Sequence, residues 1–119
     1  MDSHTSSWGK PNPLVQKELE ALLESDLSLY GEIWRKTKEG VSDEEIQRSR
    51  GASYPNFIWN YRRYIRALLE ADLPKSPSML RDAGVLFRRL LRSERMSKET
   101  KTFLEDGLLE IESRIDNPV

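Results

Sequence analysis

The sequence predicts an all-α protein, a compact bundle of about five to six helices joined by short connections. Three observations carry this. No stretch of useful length alternates apolar and polar residues with period two, so no sheet is expected. Apolar residues instead recur every three or four positions along most of the chain. Helix-starting and helix-stopping residues bracket those stretches: Asn12-Pro13, Ser42 with Glu45, Ser76-Pro77 and Ser97 as starts, Gly40 and Gly51 as stops.

Composition narrows the chemistry. The chain has 119 residues, 37% hydrophobic and 33% charged, enough apolar material for one core under a polar surface. A tail over 1–11 and a single helical domain over 12–119 are expected, with 71–78 as the one candidate break. Lys plus Arg number 19 and Asp plus Glu 20, a net charge of −1, so any binding of nucleic acid must rest on a local patch. There is no cysteine, and the one histidine, His4, lies in the tail, which rules against disulfides and a zinc site. No apolar run approaches the roughly 20 residues that span a bilayer, and the N-terminus has no apolar leader core, so a cytoplasmic protein without membrane contact is expected.

Taken in order, Asn12 caps a first helix in which Val15, Leu19, Leu22 and Leu23 form the inner stripe and Glu18, Glu20 and Glu24 the outer side. In the tail before it, Trp8 is expected to dock on its own domain. Ser25 or Asp26 opens the second helix, with Leu27, Tyr30, Ile33 and Trp34 inward; Arg35, Lys36 and Lys38 before Gly40 suit a helix C-terminus. Residues 1–47 hold ten acids and five bases, a poor surface for phosphate.

Ser42 caps the third helix, and Asp43, Glu44 and Glu45 complement its dipole. Gly51 ends it, because glycine alone enters the left-handed conformation without a Cβ clash. Ser53 caps a fourth helix over about Tyr54–Glu70, with Pro55 in its first turn and Phe57, Ile58, Tyr61, Ile65, Leu68 and Leu69 as the buried stripe. From Arg48 to Arg66 there are five arginines and no acid, so the other 100 residues together carry −6.

The prolines of Ala71–Ser78 break the chain. Ser76 and Pro77 begin a fifth helix with Met79, Ala83, Leu86, Phe87, Leu90 and Leu91 inward, and Gly84 marks a close helix crossing. Its arginines, 81, 88, 89, 92 and 95, either form a second basic surface or pair with the acidic N-terminal helices. Ser97 caps the last helix, striped by Leu104, Leu108, Ile111 and Ile115, with acids on the opposite side.

The residues Ile46, Gly51, Ala52, Ser53 and Phe57 stand at the relative positions of an aliphatic residue, a turn glycine, a small residue, a serine and a second apolar residue. In this the segment 43–62 resembles a helix-turn-helix of the bacterial repressor type. Gln47, Arg50 and Asn60 depart from that pattern, where the family has small or apolar residues. The resemblance implies that the fourth helix is a recognition helix entering the major groove of double-stranded DNA. Asn56, Asn60 and Arg63 would then face bases, and Arg48, Arg50, Arg62 and Arg66 phosphates, with Ser53 and Trp59 beside them.

The first functional expectation is therefore a DNA-binding module, the targeting domain of a larger transcriptional or DNA-processing protein. The alternative is a helical protein–protein adaptor, engaging another protein or a second copy of itself, suggested by the balanced charge, the acidic first and last helices, and exposed Trp8 and Trp59. No glycine-rich phosphate loop, metal-ligand spacing or catalytic grouping is present, so neither enzymatic activity nor a cofactor is expected.

Overall fold

The structure is a computed structural model that describes residues 8–50 and 56–117, apart from the side chains of Arg50, Asn56 and Phe57. Six helices follow one another: α1 Pro13–Ser25, α2 Leu29–Lys38, α3 Asp43–Arg50, α4 Asn56–Glu70, α5 Pro77–Leu91 and α6 Lys98–Asp116. No strand occurs among the described residues. The Gly51–Ala52–Ser53 corner, with Tyr54 and Pro55, lies outside them.

The caps act as their chemistry requires. Asn12 Oδ1 accepts from Val15 N at 2.9 Å, Ser42 Oγ from Glu45 N at 3.2 Å, Ser76 Oγ from Met79 N at 3.3 Å, and Ser97 Oγ from Thr100 N at 3.2 Å. Each satisfies one N–H that the first turn leaves without a helical partner.

α4 is the hub, packed against α1, α2, α3 and α5, while α5 and α6 form a closely packed hairpin whose second arm returns to α1. Ile58, Tyr64, Ile65, Ala67, Leu68 and Leu69 of α4 are all buried, joined by Leu19, Leu23, Ile33, Ile46, Leu80, Phe87, Leu104 and Ile111. The C-terminus of α4 is tied down by side chains: Gln16 Nε2 donates to the Leu69 carbonyl at 3.2 Å. Trp8 docks as expected, its ring 5.3 Å from Phe103 and 6.1 Å from Phe87, and its Nε1 donates to the Phe103 carbonyl at 3.0 Å. That contact also removes Trp8 from the exposed surface on which the adaptor reading placed it.

The start of the second helix is corrected. Its cap is Ser28, not Ser25 or Asp26, and Leu27 is 92% exposed instead of inward. The reason is Asp26. Its carboxylate accepts from Ser28 N at 2.7 Å and from Arg89 Nε at 3.0 Å, which fixes a corner with Leu27 at its apex. Gly31 completes the corner: a Cβ there would stand 1.9 Å from the Asp26 carbonyl oxygen.

Burial alone would push the Asp26 carboxyl up, but its bonds from Arg89 and Ser28 outweigh this and hold it below the usual carboxylate range. Beside this corner three tyrosines meet in tilted ring contacts across α2 and α4, Tyr30 against Tyr61 at 4.8 Å and Tyr61 against Tyr64 at 6.1 Å. Burial, with the neighbouring Tyr61 and Asp82, pushes the Tyr30 hydroxyl up to about 12. Tyr64 is raised as well, by burial and by the hydrogen bond its hydroxyl donates to Asp82 Oδ2 at 3.0 Å.

Candidate nucleic-acid interface

A helix that contacts four others has one open stripe. On α4 that stripe holds Trp59, 55% exposed, with Arg66 and Glu70, which recur at i, i+7 and i+11 and so align on one face. Arg62, Arg63 and Asn60 flank it, each half-buried. The stripe corresponds to the outward face that the sequence assigned to DNA, but its electrostatics differ from the expectation.

The arginines are matched by carboxylates. Arg62 Nη1 lies 2.5 Å from Asp43 Oδ1 of α3. This is a charge contact without hydrogen-bond alignment, since both that oxygen and Arg62 Nε are buried and without a hydrogen-bond partner. Arg63 Nη1 donates to the Asp72 carbonyl at 2.5 Å, and its Nη2 lies 3.6 Å from the Asp72 carboxylate. Arg66 Nε lies 3.0 Å from Asp72 and 3.9 Å from Glu70. Three cations of the run thus face three anions, and the local charge of the stripe is close to balanced.

Asp72 is the functional surprise. No apolar period or cap marks it, because it sits in the proline-containing break after α4. It reaches back to Arg63 and Arg66 because Ala71 adopts a left-handed φ of 53°, which turns the chain over the end of α4. An acid two residues beyond a helix end, behind arginines six and nine positions earlier, was the available signal.

The remaining assigned residues divide in two. Arg48 is exposed on α3 and makes no ion pair among the described residues. Ser53 lies outside the described residues, as do the side chains of Arg50 and Asn56. On α5, Arg89 joins Asp26 of the N-terminal half, with its own pKa raised by that bond, as the pairing expectation required. Arg81, Arg88, Arg92 and Arg95 are exposed.

No group of three or more metal-ligating side chains occurs among the described residues, and none of the described helices is long and apolar enough to cross a membrane. No family model, curated protein or solved structure matches this chain.

Proposed function

We propose that this chain is a double-stranded DNA-binding helical module that uses Arg48 of α3 with Trp59, Asn60, Arg62 and Arg66 of α4, in the role of a targeting domain within a larger transcriptional or DNA-processing protein. The observation that supports this is the single open stripe of the hub helix, which follows the acid-free run from Arg48 to Arg66. The carboxylate pairs on it decide which arginines take part. Arg66 is 59% exposed, and exposed ion pairs are worth only about 0–1 kcal/mol, so a phosphate displaces Asp72 from it at little cost. Arg63 is 18% exposed and bonded to a backbone carbonyl, so it serves the fold and drops out of the interface.

The test is duplex binding at two salt concentrations, about 50 and 200 mM, where each phosphate contact adds roughly 0.9 to the log–log salt slope. The reading predicts weaker binding at the higher salt and a further loss in Arg48→Glu with Arg66→Glu. Absence of duplex binding at the lower salt overturns it, as does binding indifferent to that double substitution.

A second reading, a helical protein–protein adaptor, is favoured by the internal pairing of Arg62, Arg63 and Arg66 together with the exposed Leu14 and Leu27. A wild-type protein that ignores duplex at low salt but binds a partner protein through Leu14 or Leu27 supports it.

A further inference from the structure

We infer that the outer face of the α5–α6 hairpin is a self-complementary surface on which a second copy of this chain docks. α5 presents Arg81, Val85 and Arg88, at i, i+4 and i+7; α6 presents Glu105, Leu109 and Glu112 at the same spacing. All six are exposed, Val85 by 48% and Leu109 by 64%. Residues at this spacing share one helix face, so each row offers an apolar residue between two like charges, and the two triplets carry opposite signs.

The packing places both rows on the same side of the hairpin. The Cβ direction of Gly84 meets Leu108 Cδ2 at 3.6 Å, so these two positions face each other across one edge of the antiparallel pair. Each row lies next to that edge on the solvent side of its own helix. The same register brings position 85 level with 109, 81 with 112 and 88 with 105. None of the four charges forms an ion pair with another of them within the chain; the Arg88 guanidinium instead folds back toward Gly84, its Nη1 3.5 Å from where a Cβ would be.

A two-fold axis running parallel to the hairpin sets α5 of one copy on α6 of the other. Arg81 then meets Glu112 of the partner subunit, Val85 meets Leu109 of the partner subunit, and Arg88 meets Glu105 of the partner subunit. The alternative axis, across the hairpin, stacks arginine on arginine and is rejected by charge. Such a contact is isologous and closed, the commonest form of homo-oligomer. The patch is small, about 22 Å long from the 15 residues of α5 and two helices wide. That is the low end of specific interfaces, so the dimer is expected to dissociate on the order of 10–100 µM and to weaken with salt. The inference is independent of DNA binding.

Sedimentation velocity of the full chain across roughly 5–500 µM tests it. The wild type is expected to pass from monomer to dimer. Arg81→Glu with Arg88→Glu gives a chain acidic on both helices; Glu105→Arg with Glu112→Arg gives one basic on both. Each alone is expected to remain monomeric, and an equimolar mixture of the two to form a salt-sensitive heterodimer. A monomeric wild type at the highest concentration overturns the proposal. So do variants that self-associate like the wild type, and a mixture that stays monomeric while both chains keep wild-type helical circular dichroism.

Discussion

Arg63, in the middle of the hub helix, reaches forward nine residues and donates from Nη1 to the backbone carbonyl of Asp72 at 2.5 Å. The bond holds down the segment leaving α4, and the partly buried guanidinium gains the Asp72 carboxylate at 3.6 Å as counterion. A sequence that reads as a base-contacting arginine therefore serves as a clamp. Arg63→Met keeps most of the stem and removes the donors. It is expected to cost about 1–2 kcal/mol, from the value of a charge-assisted hydrogen bond less the solvent screening of an edge position. Urea unfolding with an unchanged m-value measures it, and duplex binding per folded molecule is expected to be unaffected.

Ala71 is the only described non-glycine residue with positive φ, at 53°. The left-handed conformation costs an L-residue about 1–2 kcal/mol, and glycine escapes this while giving back roughly 0.5–1 kcal/mol of unfolded-state entropy. Ala71→Gly should therefore raise stability by about 0.5–1 kcal/mol, seen as a higher urea midpoint. A lower midpoint would mean that the turn does not have this conformation.

Asp26 links acid stability to the α1–α2 corner. Its folded carboxyl titrates below its ordinary value of 3.8, so the folded chain binds that proton less readily than the unfolded one. Its contribution is complete above about pH 4 and is lost as pH falls through the lower folded value. Asp26→Asn leaves Arg89 without its carboxylate and should cost about 2–3 kcal/mol at neutral pH, less than a fully buried pair because the Arg89 side chain is 40% exposed. Urea midpoints at neutral pH and below pH 3 check the sign: the gap between variant and wild type should narrow in acid.

Four of the helices, α1, α3, α5 and α6, were legible from their own period and their own cap, local signals that neighbours need not supply. Asn12, Ser42, Ser76 and Ser97 all cap where their side chains suggest. What escaped was set by contacts between residues distant in sequence. Periodicity puts Leu27 in line with Tyr30 and Ile33, yet the chain turns there because Asp26 meets Arg89, 63 residues away. The same holds for the candidate interface: the arginine run is plain in the sequence, but its neutralisation by Asp43 and Asp72 depends on how α3 and the 71–76 segment fold back on α4.

Leu27 gives that correction a direct test. A leucine buried in the second helix would lose about 2–5 kcal/mol on truncation. At 92% exposure it has almost no burial to lose, so Leu27→Ser is expected to change the unfolding free energy by less than about 0.5 kcal/mol. A core-sized loss in urea unfolding would restore the original register of that helix.

Two mid-helix glycines on the facing sides of the hairpin should respond oppositely to the same methyl group. At Gly84 a Cβ would meet Arg88 Nη1 at 3.5 Å and Leu108 Cδ2 at 3.6 Å, ordinary contact distances. Gly84→Ala then gains up to about 1 kcal/mol of helix propensity with little steric cost. At Gly107 the Cβ would stand 2.5 Å from Phe87 Cε2 and 3.0 Å from Trp8 Cζ2. Phe87 is wholly buried and cannot swing aside without opening the core, so Gly107→Ala should lose about 1–3 kcal/mol despite the same propensity gain. The Trp8 ring is the softer of the two obstacles, and its displacement from Phe103 would show as a red-shifted fluorescence component in Gly107→Ala that is missing from Gly84→Ala. Equal shifts in the urea midpoints of the two variants would contradict the close α5–α6 packing on which both expectations depend.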